Sequence, residues 1–205
     1  MSKEDIKFQL KLHGKTMVLV DWANVYRWKN SLKGEVDPEK LYKYFMSYEQ
    51  VGEMSLYHGI DVHPKSAEFL KRMKDIGYKV VTKPVKYLKV RADSGEIVSQ
   101  RKCDFDLEMG LDAYERIGEY DSFVFLSGDG DFATLYERLI AKGKQVIVVY
   151  SSGHLGREIW EMKRGIFKVE LKKLSKELVK KMSPSRRPGA RLSFSVPKSE
   201  KKSRK

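Results

Sequence analysis

The chain has 205 residues, of which 41% are apolar and 34% charged, with a formal charge of +13; this allows one domain with a full core beneath a densely ionic surface. Its longest apolar runs, Phe123 to Leu126 and Val146 to Tyr150, fall far short of the roughly 20 residues of a membrane span, and no apolar leader core opens the chain. The expectation is therefore a cytoplasmic protein with no membrane partner, and the single cysteine, Cys103, excludes both an intrachain disulfide and a cysteine metal cluster.

Residues 1–15 read as an N-terminal arm, and Thr16 to Val20 as a short buried strand ending in Asp21. Asp37-Pro38 opens a helix with a capping carboxylate and a proline at its first position. Pro64 does the same after His63, for a helix that runs through Lys74 and closes at Gly77. Met54 to His58 and Tyr78 to Thr82 read as strands. Residues 90–100 interrupt the alternation with an Asp-Ser-Gly turn, which marks a surface hairpin or a mobile, lid-like loop. Asp106 to Ile117 has helical spacing, with Leu107, Leu111 and Tyr114 as its apolar stripe. Phe123 to Leu126 is a strand, Phe132 to Lys142 a helix stopped by Gly143, and Gln145 to Tyr150 the next strand. A last strand is expected at Phe167 to Leu171, a basic helix within 171–183 centred on Ser175 to Met182, and a disordered basic tail over 184–205. This alternation predicts an α/β domain over 16–170, a central, mostly parallel sheet with helices on both faces.

The charge is uneven along the chain. From Pro184 to Lys205 there are eight Lys/Arg against Glu200 alone, so +7 of the +13 lies in the tail. Such a tail suits a polyanion by counterion release, and equally a solubilising, membrane-surface or ribosome-touching arm.

The acidic residues carry more information than the basic ones. In an open parallel sheet the functional crevice lies at the carboxyl ends of the strands. Asp21 ends the first strand with Asn24 three residues on, and Asp129 and Asp131 follow the strand that ends at Leu126. Asp104, Asp106, Glu108 and Asp112 gather at the start of the preceding helix. Crowded carboxylates repel unless a hard cation joins them, and Mg²⁺ or Mn²⁺ is the natural occupant, with phosphodiester hydrolysis the chemistry such an ion supports. Against this stands the plain role of aspartate as helix cap and turn residue, which Asp104 and Asp131 in particular would fill. Gly128-Asp129-Gly130-Asp131-Phe132-Ala133 also fits a dinucleotide-binding pattern. Its acids would face the pyrophosphate, however, and no ribose-binding acid follows near Tyr150-Ser151-Ser152.

Three blocks give the chain a family likeness: Val18-Leu19-Val20-Asp21-Trp22-Ala23-Asn24, then Lys102 to Asp112, then Phe123 through Ser127-Gly128-Asp129-Gly130-Asp131-Phe132 to Gly143-Lys144. With them the chain resembles the NYN family of PIN-like nucleases from about Met17 to about Tyr150. The resemblance implies a PIN-like three-layer sandwich and an endoribonuclease that binds Mg²⁺ or Mn²⁺. It makes Asp21, Asp106, Asp129 and Asp131 the catalytic and metal-binding acids, with Asn24, Ser127, Asp104 and Asp112 in support. Asp104 competes with Asp106 for the middle acid; the six-residue step from Asp106 to Asp112 favours Asp106. Lys83, Lys86 and Lys102 are candidates to hold phosphates and Trp22 and Tyr26 to stack bases, their alternatives being a solvated rim and core packing. The expected partner is RNA, single-stranded or structured, with the basic tail as a second contact and a homodimer open. The rival from another class is a non-catalytic RNA-binding or regulatory adaptor on the same fold.

Overall fold

The computed structural model describes residues 8–91 and 95–181. The tail expected over 184–205, the first seven residues of the arm and Asp93-Ser94 of the expected turn lie outside the described residues. In chain order the elements are β1 (Thr16–Asp21), α1 (Trp22–Arg27), α2 (Lys29–Leu32), β2 (Gly34–Val36), α3 (Pro38–Met46), β3 (Val51–Tyr57), α4 (Pro64–Ile76), β4 (Lys79–Val81), β5 (Lys86–Arg91) and β6 (Ile97–Lys102). There follow α5 (Asp106–Glu115), β7 (Ser122–Leu126), α6 (Ala133–Ala141), β8 (Gln145–Tyr150), α7 (Arg157–Glu161), β9 (Ile166–Glu170), α8 (Leu171–Leu174) and β10 (Val179–Lys181). Among the described residues no helix is long and apolar enough to cross a membrane.

Six strands form one parallel sheet in the order β4-β3-β1-β7-β8-β9. Side chains alternate across a strand, and here the alternation builds two cores. Val18, Val20, Val124 and Leu126 pack with Trp28, Leu41 and Phe45 of the helical layer formed by α1 to α3. Met17, Leu19, Phe123 and Phe125 pack with Met109 and Ala113 of α5, Tyr136 and Leu139 of α6, and Ile159 of α7. Both faces of the sheet are thus buried, which is why β1, β7 and β8 are continuous apolar runs.

The caps form where the sequence places them. Asp37 accepts from the amides of Glu39 and Lys40 at 3.0 and 3.3 Å at the start of α3, and His63 accepts from Lys65 N at 3.2 Å at the start of α4. Gly77, at φ 119°, ends α4 in a conformation that a side chain resists.

Two local expectations are corrected. The stripe Leu107, Leu111 and Tyr114 does not face the core: these residues are 69%, 48% and 46% exposed, and α5 buries Met109 and Ala113 instead. Over its described residues, 175–181, the basic helix expected at Ser175 to Met182 is also absent. Lys176–Leu178 is a 3₁₀ turn, and Val179–Lys181 is β10, which pairs antiparallel with β2. Lys180 reaches the buried Asp37 carboxylate at 2.7 Å, so β10 closes over the start of α3.

The interruption expected over 90–100 belongs to a longer antiparallel pair: β5 and β6 pair from Lys86↔Lys102 to Arg91↔Ile97, and of the residues in these two strands all but Val90 are exposed.

Candidate active site

The sheet order places the site. From β1 the chain proceeds outward through β3 to β4 on one side, while β7, β8 and β9 fill the other, so the direction of winding reverses between β1 and β7. At such a reversal neighbouring connections leave in opposite directions and open a crevice beyond the carboxyl ends. Val20 pairs with Leu126, which brings Asp21 and Ser127 side by side at that crevice.

A hydrogen-bonded chain fixes both strand ends. Asp21, only 9% exposed, accepts from Asn24 N at 3.1 Å, which caps α1, and from Ser127 Oγ at 3.4 Å. Ser127 Oγ accepts in turn from Asp129 N at 3.2 Å, and Asp129 Oδ1 from Asp131 N at 3.2 Å. Asn24 Oδ1 accepts from Trp28 Nε1 at 3.0 Å and from Gly128 N at 3.2 Å, which ties α1 to the loop after β7. Asn24 and Ser127 therefore hold the acids in place through backbone amides.

Asp106 completes the cluster from the first turn of α5. Burial, and then the charges of Asp129, Asp21, Asp104 and Asp131, push its carboxyl up to about 6. Burial likewise raises Asp21, helped by the Asp129 charge and opposed first by the Asn24 amide and least by Arg27. Four aspartates from three separate segments thus stand in one another's field. Asp104 is exposed, with Lys102 Nζ at 3.9 Å, and contributes to the field from the edge. Asp112 accepts from Tyr57 OH at 2.7 Å and so pins α5 to β3.

The donor set is all hard oxygen and already repels itself, which suits a divalent cation. Among the described residues no three His, Cys, Asp or Glu side chains gather as placed into a ready cage. Mg²⁺ keeps several waters and takes one or two carboxylates together with substrate oxygens, and so does not require such a cage.

The shared field has a thermodynamic consequence. Because the folded pKa of Asp106 is raised from 3.8 to about 6, its favourable contribution is complete below about pH 4 and is lost as the pH rises through 6. In EDTA at pH 7, Asp106→Asn is expected to stabilise the protein by about 1 kcal/mol after allowance for solvent screening, roughly 2–4 °C in Tm. Melting curves at pH 5 and pH 7 check this; a variant that melts at or below wild type at pH 7 would show that no such repulsion exists.

The remaining candidates separate clearly. Lys83 Nζ lies 2.6 and 2.7 Å from the two Glu108 oxygens and over the Phe105 ring, so its charge is already engaged. Lys86 and Lys102 face each other across the hairpin. Trp22 is 8% exposed and packs on Phe69 at 5.4 Å, whereas Tyr26 is 53% exposed. His58, which is not among these candidates, follows β3, and burial pushes its imidazole down to about 4, leaving it neutral at pH 7.

The sequence reading missed the segment His154 to Glu158. Gly156 N donates to Gly128 O at 2.7 Å, and a Cβ on Gly156 would lie 2.6 Å from the Gly130 backbone. A Cβ on Gly128 would overlap the His154 carbonyl oxygen. The alternating glycines that accompany the acids were themselves the available signal, since a glycine often marks a close approach of two backbones.

Fold and cluster together define a PIN-like α/β domain with an acidic crevice. Residues 15–161 match the NYN domain family, and the chain belongs to that family. It is 25% identical over 144 residues to the low amplitude and bright protein LabA of Synechococcus elongatus, an alignment that covers 69% of this chain and 76% of that protein. Among solved structures it is similar to a Vibrio parahaemolyticus protein of unknown function, with a TM-score of 0.59 and 24% identity over 79% of this chain and 96% of the other, a likeness of fold. The domain of this family is generally a nuclease fold, which supports a hydrolase at that coarse level.

Proposed function

We propose that the protein is a divalent-metal-dependent endoribonuclease in which Asp21, Asp106, Asp129 and Asp131 hold Mg²⁺ or Mn²⁺. The observation that supports this most is that Asp21 and Asp129 are joined through Ser127 at the switch point, while the Asp106 carboxyl on α5 is driven up to about 6 by burial and then by the charges of Asp129, Asp21, Asp104 and Asp131. A purely structural loop gains nothing from such repulsion, whereas a cation turns it into attraction. When bound, the ion neutralises a phosphate oxygen and lowers the pKa of a water molecule.

The chain's own contribution is orientation. Asp21 and Asp129 are held by backbone amides and Ser127, so their carboxylates present a fixed pair of oxygens at the ends of β1 and β7. Asp106 approaches from α5, whose position Asp112 secures through Tyr57. Water adds to phosphorus as the bond to the 3′ oxygen breaks, leaving fragments with a 5′-phosphate and a 3′-hydroxyl. The eight Lys/Arg between Pro184 and Lys205 supply a second, sequence-independent attraction for RNA.

Labelled RNA incubated with Mg²⁺, Mn²⁺ or EDTA tests the proposal. Cleavage with 5′-phosphate ends is expected in either ion and none in EDTA. RNA that stays intact in all three, or is cut equally well in EDTA, would rule out the proposed chemistry.

A further inference from the structure

Among the described residues the buried tyrosines are Tyr57, Tyr78, Tyr120 and Tyr136. Three of them bring the hydroxyl to a partner: Tyr57 OH donates to Asp112 at 2.7 Å, Tyr78 OH donates to the Pro38 carbonyl at 2.7 Å, and Tyr120 OH accepts from Arg116 at 2.7 Å. Tyr136 does not. Its side chain is fully buried, and among the described residues its hydroxyl is the one buried side-chain polar atom without a hydrogen-bond partner. Leaving a buried donor unpaired is destabilising, and a phenylalanine would fill the same space without that penalty.

The surroundings of the hydroxyl point to its partner. Tyr136 sits on α6 one turn after Phe132 and stacks on that ring at 6.0 Å, with Phe125 of β7 against it at 4.8 Å. Helical side chains lean toward the N-terminal end of their own helix. For α6 that end is the Gly130–Phe132 turn, which Asp129 caps and which carries Asp131. The hydroxyl thus approaches the acidic crevice from beneath. Burial first, then the charges of Asp129, Asp21 and Asp106 in that order, push the phenol well above its ordinary pKa, so it stays a protonated donor. Asp129 Oδ1 accepts from Asp131 N at 3.2 Å, and Oδ2 is the oxygen that this turn does not use.

We propose that Tyr136 is a positioning residue for the cation site, its hydroxyl donating to Asp129 Oδ2 when the ion is held and so fixing the rotation of that carboxylate. The proposal rests on the metal-site reading above and adds the residue that orients one of its acids from the core. Carboxylates that hold a metal are themselves hydrogen-bonded, and loss of such an outer partner lowers metal affinity by about 10–100-fold.

Tyr136→Phe tests this, since it keeps the ring between Phe125 and Phe132 and removes only the hydroxyl. In EDTA the variant is expected to melt at or slightly above wild type, because an unpaired buried donor is gone. Mn²⁺ titrated into the full chain and followed by electron paramagnetic resonance is expected to bind about tenfold more weakly or worse. The rise in Tm produced by a fixed excess of Mn²⁺ should accordingly shrink by roughly 3–6 °C. RNA cleavage should fall at Mn²⁺ levels that no longer fill the site and recover when Mn²⁺ is raised to saturate the variant. Tyr44→Phe, which loses the Tyr44–Tyr48 hydroxyl contact at 2.9 Å beside the opposite core, is the control and should leave Mn²⁺ affinity unchanged. A Tyr136→Phe protein that binds Mn²⁺ as tightly as wild type, or melts well below it in EDTA, would overturn the proposal. The readings fail separately. Wild type that takes up no Mn²⁺ removes the metal site and this role with it, uptake that Tyr136→Phe leaves unaltered sinks the role of Tyr136 alone, and uptake weakened by Tyr136→Phe without any cleavage by wild type sinks hydrolysis alone.

Discussion

Asp129→Asn is expected to slow RNA cleavage by on the order of 10²–10³-fold or more while the protein stays folded. The substitution is chosen for what it preserves. Asp129 Oδ1 accepts from Asp131 N, and an asparagine Oδ1 accepts the same bond, so the turn after β7 survives. What is lost is one unit of negative charge at the crevice. Asp129 is the leading charged neighbour of both Asp106 and Asp21 in raising their carboxyls, so its neutralisation eases their ionisation. The metal-free variant should therefore melt at or slightly above wild type while losing activity. Asp21→Asn should behave alike, since its Oδ1 can still accept from Asn24 N. Single-turnover cleavage and circular dichroism, measured on the same preparations, separate loss of chemistry from loss of fold. Cleavage at the wild-type rate by both variants would remove these residues from the reaction.

Gly128→Ala is expected to destabilise the protein by about 3 kcal/mol, a fall of roughly 6 °C or more in Tm. The added methyl would overlap the His154 carbonyl oxygen, which is backbone and has no rotamer to escape into. Relief requires the two loops to part, which breaks the Gly156 N to Gly128 O bond and shifts Asp129 away from Asp21. Gly110→Ala provides the contrast. Gly110 lies inside α5 with nothing within 4 Å of a built Cβ, so there alanine should stabilise by about 0.5–1 kcal/mol. Thermal melts of the two variants side by side check the claim, and a Gly128→Ala protein as stable as wild type would contradict the close packing of the loops.

Much of the fold is legible because it rests on local or strongly periodic signals. β1, β7 and β8 announce themselves as β-branched and aromatic runs, and α3 and α4 by Asp37-Pro38 and His63-Pro64. The misreadings have a common physical source, in that tertiary partners override local pattern. Leu107, Leu111 and Tyr114 make a plausible helical stripe, yet α5 buries Met109 and Ala113 in the cluster with Tyr57 and Phe105 and leaves that stripe exposed. Ser175 to Met182 has helix-compatible composition, but β2 offers an unpaired edge and Asp37 a buried charge, and pairing at Val179–Lys181 satisfies both. Nothing in three residues such as Gly34–Val36 marks them as a strand until that partner arrives. The acids of the candidate site could be listed from sequence because each follows a strand or starts a helix. The support from Gly156 could not, since it depends on a loop that returns to Gly128 and Gly130 only in the folded chain.

The central claim, that the carboxylates at the β1/β7 switch point form a divalent cation site, is tested most directly by titrating Mn²⁺ into the full chain and following the free ion by electron paramagnetic resonance at pH 7.5 and pH 5. Wild type is expected to bind one or two ions at pH 7.5 and to bind them much more weakly at pH 5, where Asp106 is mostly protonated. Asp21→Asn and Asp129→Asn are expected to lose this binding. Wild type that takes up no Mn²⁺ at pH 7.5, or variants that take up as much as wild type, would contradict it.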